Sequence, residues 1–377
     1  MTASLRAPDP LETKRRHLLH VFPTFAVGGS QSRLAQLLTI WEERYRHSVV
    51  SLDGMLAMAE KLPSRPAIAY VSLSLPARST WRGLIQALDI IDSIRPDALV
   101  TYNWGSFNWW LAKRLRPKLR HVHIEDGFGP EEQQNLLRRR SIARRLILND
   151  RSTEVVLPSQ TLHRIALQSW ALPPEHLHYI PNGIAWRRFA AERQHRPADR
   201  PITVGTIATL RREKNIPRLI SIFNQAVSSR PSLPVMLRIM GGGDQFAEIQ
   251  KHALQSPYRD RITLTGPTSA PQDHLREIDI FAITSDTEQM PLSVLEAMAA
   301  SLPVISFDVG DIASMVSPEN RQAASIDRTD DRSFVEWILE LAADEEKRLM
   351  LGQSNLATVR NRFDANQMAN SYAALLD

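Results

Sequence analysis

The chain has 377 residues, 43% of them hydrophobic and 23% charged, a net charge of +5 and no cysteine. That is too long for one hydrophobic core and too apolar for a disordered chain, so two folded domains are expected. The missing cysteines exclude disulfides and thiolate metal sites and favour a reducing compartment, and no apolar run approaches the roughly 20 residues that cross a bilayer.

Residues 1–16 read as a loose tail. Lys14, Arg15 and Arg16 before an apolar run suggest an export signal, but His17, His20 and Pro23 interrupt that run. A Gly-Gly turn and an amphipathic helix carrying Arg33 follow it, so a buried first strand, "HLLHVF", is the better reading. The helix "SQSRLAQLLTIWEE" comes next, then strand candidates "HSVVSL", "AIAYVSL", "DALVTY", "LRHVHI", "EVVLPS" and "HLHYIP", with helical patterns at 80–94, 106–115 and 131–148. After a turn-rich, charged linker at 181–201 the rhythm resumes. "PITVGTIA", "PVMLRIM", "RITLTG", "DIFAIT" and "LPVISF" are strands, with helices near 215–229, 244–256, 271–277, 291–301 and 311–316. Beyond Val316 the pattern is nearly all helical.

Strands that are apolar throughout and alternate with helices imply parallel sheets covered on both faces. The fold class expected is α/β: an N-terminal Rossmann-like domain over 17–180, a C-terminal one over 202–356, and a helix over 357–377 packing back on the first. Two such domains would leave a cleft, with ligands beyond the carboxyl ends of the strands.

The stretch "SDTEQMPLSVLEAMAASLPVISFDVGD" (285–311) carries the most chemistry. Pro291 fits the start of a helix, so the amides of Leu292, Ser293 and Val294 would be unpaired and suited to phosphate. Glu288 precedes that end and Glu296 lies about a turn beyond it. A diphosphate on the amides, with a sugar towards each glutamate, is the layout of a nucleotide-sugar. Equally, Glu288 reads as an acid favoured by the helix dipole and Glu296 as a surface residue.

Four segments then carry a family resemblance. "EQMPLSVLEAMAASLPVI" resembles the E-x7-E signature of retaining GT-B glycosyltransferases, and specifically of glycosyltransferase family 4, which builds bacterial polysaccharides and glycolipids. "VFPTFAVGGSQSRLAQL", "YIPNGI" and "GTIATLRREKN" resemble that family's first strand and Gly-Gly loop, its linker motif and its diphosphate loop. The resemblance implies a metal-independent hexosyltransferase with GT-B architecture that retains anomeric configuration and uses a UDP- or GDP-sugar as substrate, with no cofactor.

Residue by residue, it implies that Glu296 holds the ribose, Glu288 faces the donor sugar and Lys214 meets the diphosphate. Thr209 stands where the family has an arginine, so Arg211 or Arg212 would supply the second cation, unless both are solvated loop charges. Gly28 and Gly29, with Ser30 beside them, would approach the donor. So would Gly241 and Gly242 of "MGGGDQF", and the segment Met290, Pro291, Leu292, Ser293 and Val294. Gly241–Gly243 also read as a tight turn with Asp244 capping a helix. In "RHVHIEDGFGPEE" the family's donor-sugar histidine corresponds to His123 or to Asp126, with Glu125 a third candidate on the acceptor side. Asn103 and Trp104 are further acceptor-side candidates, while one of Trp109 and Trp110 is expected in the core. Arg33 is either a cleft residue or a surface one.

Arg138, Arg139, Arg140, Arg144 and Arg145 crowd two helical turns. They form a solvated face or an attraction to an anionic membrane surface, and nucleic acid is disfavoured. The expected partners are a nucleotide-sugar and a glycan or lipid-linked acceptor, with a cytoplasmic location, peripheral on the inner face of the cell membrane. A non-hydrolysing sugar-nucleotide epimerase and a non-catalytic nucleotide-sugar-binding module remain as alternatives, the latter resting on Thr209 alone.

Overall fold

The structure is a computed structural model that describes residues 15–64, 66–73, 80–128, 132, 137–190, 200–268 and 270–377. It divides into two compact units, Met1–Pro181 with Asn366–Asp377, and Asn182–Ala365.

The first unit is built on strands β1 (His17–Phe22), β2 (Arg46–Ser51), β3 (Ile68–Ser72), β4 (Ala98–Tyr102), β5 (Arg120–Ile124), β6 (Thr153–Leu157) and β7 (Leu177–Tyr179). They form one sheet in the order β3-β2-β1-β4-β5-β6-β7, parallel at every pairing, with Leu18 opposite both His47 and Ala98. Helices α1 (Gly29–Trp41), α2 (Thr80–Ile94), α3 (Phe107–Arg114), α4 (Arg138–Leu148) and α5 (Gln160–Gln168) connect them. Leu18 and Phe22 enter one core with Val100 and Val122, while Leu19 and Val21 enter another with Val50 and Leu99. Alternate residues of one strand thus bury on opposite faces, which is why these strands carry no polar alternation.

The second unit holds β8 (Ile202–Ile207), β9 (Val235–Met240), β10 (Ile262–Leu264), β11 (Ile280–Ile283) and β12 (Val304–Ser306) in the parallel order β10-β9-β8-β11-β12. Its helices are α6 (Ile216–Ser229), α7 (Phe246–Gln255), α8 (Pro271–Leu275), α9 (Leu292–Ala299), α10 (Ile312–Met315), α11 (Asp331–Ala343) and α12 (Glu345–Arg362). The last helix, α13 (Ala365–Leu376), joins the core of the first unit through Met368, Ala369, Tyr372 and Leu376. Trp41 Nε1 donates to its Ala369 carbonyl.

Both sheets reverse direction beside their first strand, between β1 and β4 and between β8 and β11. Ligands of doubly wound sheets collect at such switch points, beyond the carboxyl ends. Some boundaries differ from the sequence reading. The expected helix over 131–148 is seen from Arg138 onward, and 129–131 and 133–136 lie outside the described residues, as do 191–199 of the linker. The expected helix at 357–377 is two helices, broken at Phe363 and Asp364, where Ile184 forms a bridge with Asp364. Asp244 does not cap α7; that position belongs to Gln245, whose side chain makes no cap bond.

One buried clamp fixes the sheet edge that carries α9. Asn320 accepts from the Val304 amide and donates to its carbonyl, both at 2.8 Å, while Asn355 donates to Asn320 at 2.6 Å and to the Leu302 carbonyl at 2.9 Å. Asn355 also accepts from the Ser317 amide at 2.9 Å. Asn355→Ala leaves several buried polar groups unpaired, at about 1–3 kcal/mol each. The expected result is a lower urea midpoint for the second unit with first-unit unfolding unchanged, read by hydrogen exchange.

Candidate functional site

In the second unit, every loop at the carboxyl edge beside the switch point is tied to its neighbour. The loop after β8 ends in the short turn Arg212–Lys214 and in Asn215, whose left-handed φ of 47° closes it against α6. The loop after β11 runs from Ser285 to Pro291. Asn215 Nδ2 donates to Asp286 Oδ1 at 2.9 Å, and the Asp286 amide donates to the Glu213 carbonyl at 2.8 Å. This brings Lys214 to Glu288. The ammonium donates to Oε1 at 2.5 Å, and Ser285 Oγ donates to the same oxygen at 2.8 Å. The side chains are only 21% and 9% exposed, so each ion depends on the other: a carboxylate this far from water is costly without its cation.

Two further contacts hold the loop. Asn182 donates from Nδ2 to the Met290 carbonyl at 2.9 Å and from its amide to Met290 Sδ. Gly310 has φ +57°, and a Cβ there would lie 2.4 Å from the Glu288 carbonyl oxygen, so the close approach requires glycine. Asp311 then donates its amide to the Gln289 carbonyl at 2.9 Å.

Pro291, extended at ψ 126°, is the residue before α9 rather than its first helical one. The Val294 amide is not unpaired as expected, because it bonds the Pro291 carbonyl at 3.2 Å. The amides of Leu292 and Ser293 meet no acceptor among the described residues. Glu296 is partly buried, and its carboxylate makes no hydrogen bond among the described residues. Burial pushes its pKa up to about 7, against the opposing charge of Arg188.

The remaining donor-side candidates divide. Thr209, Arg211 and Arg212 are exposed on the loop after β8. Gly241 and Gly243 are demanded by packing, since added Cβ atoms would stand 1.8 Å from the Ala208 carbonyl and 2.3 Å from the Leu210 carbonyl. At Gly242 a Cβ would meet Pro267 at 3.3 Å. The tight-turn reading therefore accounts for this run.

At the carboxyl edge of the first unit, Arg33 of α1 forks onto Asp126, at 2.5 Å to Oδ1 and 2.7 Å to Oδ2. Burial opposes the charge on Arg33, but Asp126, with Tyr372 and Tyr102 nearby, outweighs it and holds the guanidinium above its ordinary value. Asn103, left-handed at φ 54°, accepts the Asp126 amide on its side chain at 2.7 Å. Gly28 is extended at the start of α1, where a Cβ would press on Gln31 Oε1 at 2.7 Å, whereas the space before a Cβ at Gly29 is open.

His123 and Glu125 lie beneath this edge and are fully buried. His123 shares hydrogen bonds with Thr101 (2.9 Å) and Glu125 (3.4 Å), and Arg144 Nε donates to Glu125 at 3.2 Å. Burial lowers the His123 pKa despite Glu125; burial opposes the Glu125 charge, but Arg144 and His123 hold its pKa down. Of the three candidates in "HIEDG", only Asp126 reaches the surface. The faces of Trp104 carry the guanidinium groups of Arg140 and Arg144 at 5.1 and 4.9 Å, so this tryptophan stacks on arginine. Trp109 and Trp110 are both core residues, in separate clusters. α3 is buried on two sides, and adjacent side chains serve one cluster each.

Arg33, Asn182, Ser285 and Gly310 are the participants that sequence reasoning missed or left undecided. Asn182 stands in the quoted "YIPNGI", which was the available signal for it.

Two doubly wound parallel sheets, each with its polar loops gathered at the switch point, define the GT-B class. The profile described as "Glycosyltransferase Family 4" matches residues 27–188, and "Glycosyl transferases group 1" matches 188–356. The chain belongs to the GT-B glycosyltransferases of the family 4 type. It is 25% identical, over 46% of its length, to the lipopolysaccharide core biosynthesis mannosyltransferase LpsB of Rhizobium meliloti, spanning 51% of that protein. It is 23% identical, over 71% of its length, to the amylovoran biosynthesis glycosyltransferase AmsK of Erwinia amylovora, spanning 68% of it. The chain thus spans about half the length of the first of these curated relatives. Its fold matches the crystal structure of Anabaena HepE in complex with UDP and glucose, with a TM-score of 0.79 at 16% identity, over 96% of this chain and 99% of that one.

A raised carboxylate pKa makes folding favour the protonated form. The stability that goes with it is intact below the unfolded value near 4.5 and is lost as pH rises through about 7. Glu296→Gln is therefore expected to raise the melting temperature at pH 8, by roughly 1–3 kcal/mol of stability, and to change it little at pH 5. Thermal unfolding at the two pH values reads this directly, and an equal shift at both would contradict it.

Proposed function

We propose that this chain transfers a hexose from a UDP- or GDP-sugar to a polysaccharide or lipid-linked acceptor, with retention at the anomeric carbon and without a metal ion. The observation that carries this reading is the Lys214–Glu288–Ser285 contact beside the two unpaired amides of α9, with Glu296 unpaired a turn further in. A diphosphate on the amides of Leu292 and Ser293 is neutralised by Lys214, with Arg211 or Arg212 as the second cation in place of the family's arginine at Thr209. Glu296 accepts from the ribose hydroxyls. Glu288, oriented by Ser285, accepts from a hydroxyl of the donor sugar.

The chemical logic is electrostatic. Charge develops on the departing diphosphate as the sugar–oxygen bond breaks, and fixed donors aimed at that charge lower the barrier most. No nucleophilic side chain is assigned. Asp126, the partly exposed acid of the first unit's edge, held by Arg33, and Asn103 are the sugar-positioning candidates there. The names of the curated relatives, in lipopolysaccharide core and amylovoran biosynthesis, support a cell-surface glycan as product, and the UDP and glucose in the HepE structure support a nucleotide-sugar donor.

The test is turnover of UDP-glucose, UDP-galactose, UDP-N-acetylglucosamine and GDP-mannose with undecaprenyl-linked or oligosaccharide acceptors, the anomer of the product being read by NMR. One donor should support transfer with retention, and Glu288→Gln should lower kcat by about a hundredfold. Inverted product, or full turnover in Glu288→Gln, would overturn the proposed chemistry.

A further inference from the structure

The five arginines between 138 and 145 look alike in the sequence, yet α4 sorts them into two groups. Arg144 is fully buried and paired with Glu125 and Glu132, and Arg140 pairs with Glu132 at 3.1 Å. Both lie over the ring of Trp104. These two are structural cations, neutralised inside the first unit. Arg138, Arg139 and Arg145 are exposed and pair with no acid among the described residues.

At 100° per residue, Arg138, Arg139, Ile142, Arg145 and Leu146 fall within an arc of about 120°, opposite the inward Arg140, Arg144 and Leu148. The two aliphatic residues on that arc, one helical turn apart, are 56% and 66% exposed. The outward face therefore combines uncompensated positive charge with large apolar side chains. Neither feature helps the fold. α4 has no acid in its first turn, and Arg138 and Arg139 sit at the helix end where the dipole disfavours cations.

A surface that is anionic and also accepts aliphatic side chains satisfies both features, whereas a polyanion in water satisfies only the charge. We infer that the outward face of α4 docks on an anionic lipid bilayer, with Ile142 and Leu146 entering the interface and Arg138, Arg139 and Arg145 meeting lipid phosphates. This corrects the wider expectation for Arg138–Arg145, because Arg140 and Arg144 are spent within the fold. The inference does not depend on sugar transfer, since binding to vesicles requires no turnover.

The experiment is flotation of the full chain with vesicles of phosphatidylcholine alone or with roughly one-third phosphatidylglycerol. The wild type should float only with the anionic vesicles. Each of Arg138→Gln, Arg139→Gln and Arg145→Gln should weaken partitioning roughly fivefold, and Ile142→Ser with Leu146→Ser about tenfold or more. Arg259→Gln, an exposed arginine of the second unit, should change nothing, and unaltered thermal melts check that each variant folds. Absence of flotation, flotation unchanged in the triple arginine variant, or charge-only binding that also captures heparin and ignores Ile142 and Leu146 would each overturn the inference.

Discussion

The second unit is organised around one ion pair. Glu288 is nearly sealed from water, and its carboxylate is tolerable there because Lys214 and Ser285 both donate to the same oxygen. That requirement joins the loop after β8 to the loop after β11 across the switch point. Asn182 and Gly310 fix the same loop from other sides, and α9 begins where the loop ends. The place of Glu296 follows, since it projects from α9 within a turn of that start. Loops tied this way hold their charges by backbone and by one another, and on the proposed function that is the condition under which fixed dipoles stabilise developing charge.

The first unit uses a comparable device with a different outcome. Arg33 and Asp126 form a forked pair at the carboxyl edge, with Asn103 holding the Asp126 backbone. Below it, His123, Glu125, Arg144 and Glu132 make a fully interior chain capped by tryptophans. The interior chain sets the shape of the edge, and the forked pair is what the edge presents. Buried ion pairs of this sort are weak as stabilisers but costly to break singly, so they specify one arrangement of loops.

The fold was legible in the residues because parallel sheets covered on both faces need continuous apolar strands, and those stand out in this chain. The two glutamates were legible because turn, proline and helix follow one another in order. What stayed hidden was orientation. β5 is buried on both faces, so no alternation marks His123 as interior, and just beyond the strand Glu125 is buried while the adjacent Asp126 is partly exposed. The five arginines of 138–145 carry no label for the two that pair with Glu125 and Glu132; only the helical period and the position of those acids separate them. The packing demand on Gly241 and Gly243, set by the 208–210 loop, was likewise invisible in the sequence, because it comes from a segment roughly thirty residues away in the chain and not from local turn chemistry.

On the proposed function, Lys214 and Glu296 bind the nucleoside diphosphate part of a donor. Isothermal titration of UDP and of GDP into the wild type, Lys214→Ala and Glu296→Gln tests it most directly. One of the two nucleotides should bind the wild type, and each variant should weaken it about tenfold or more, as loss of a charge-assisted contact does. Binding of neither nucleotide to the wild type, or equal affinity in all three proteins, would contradict it.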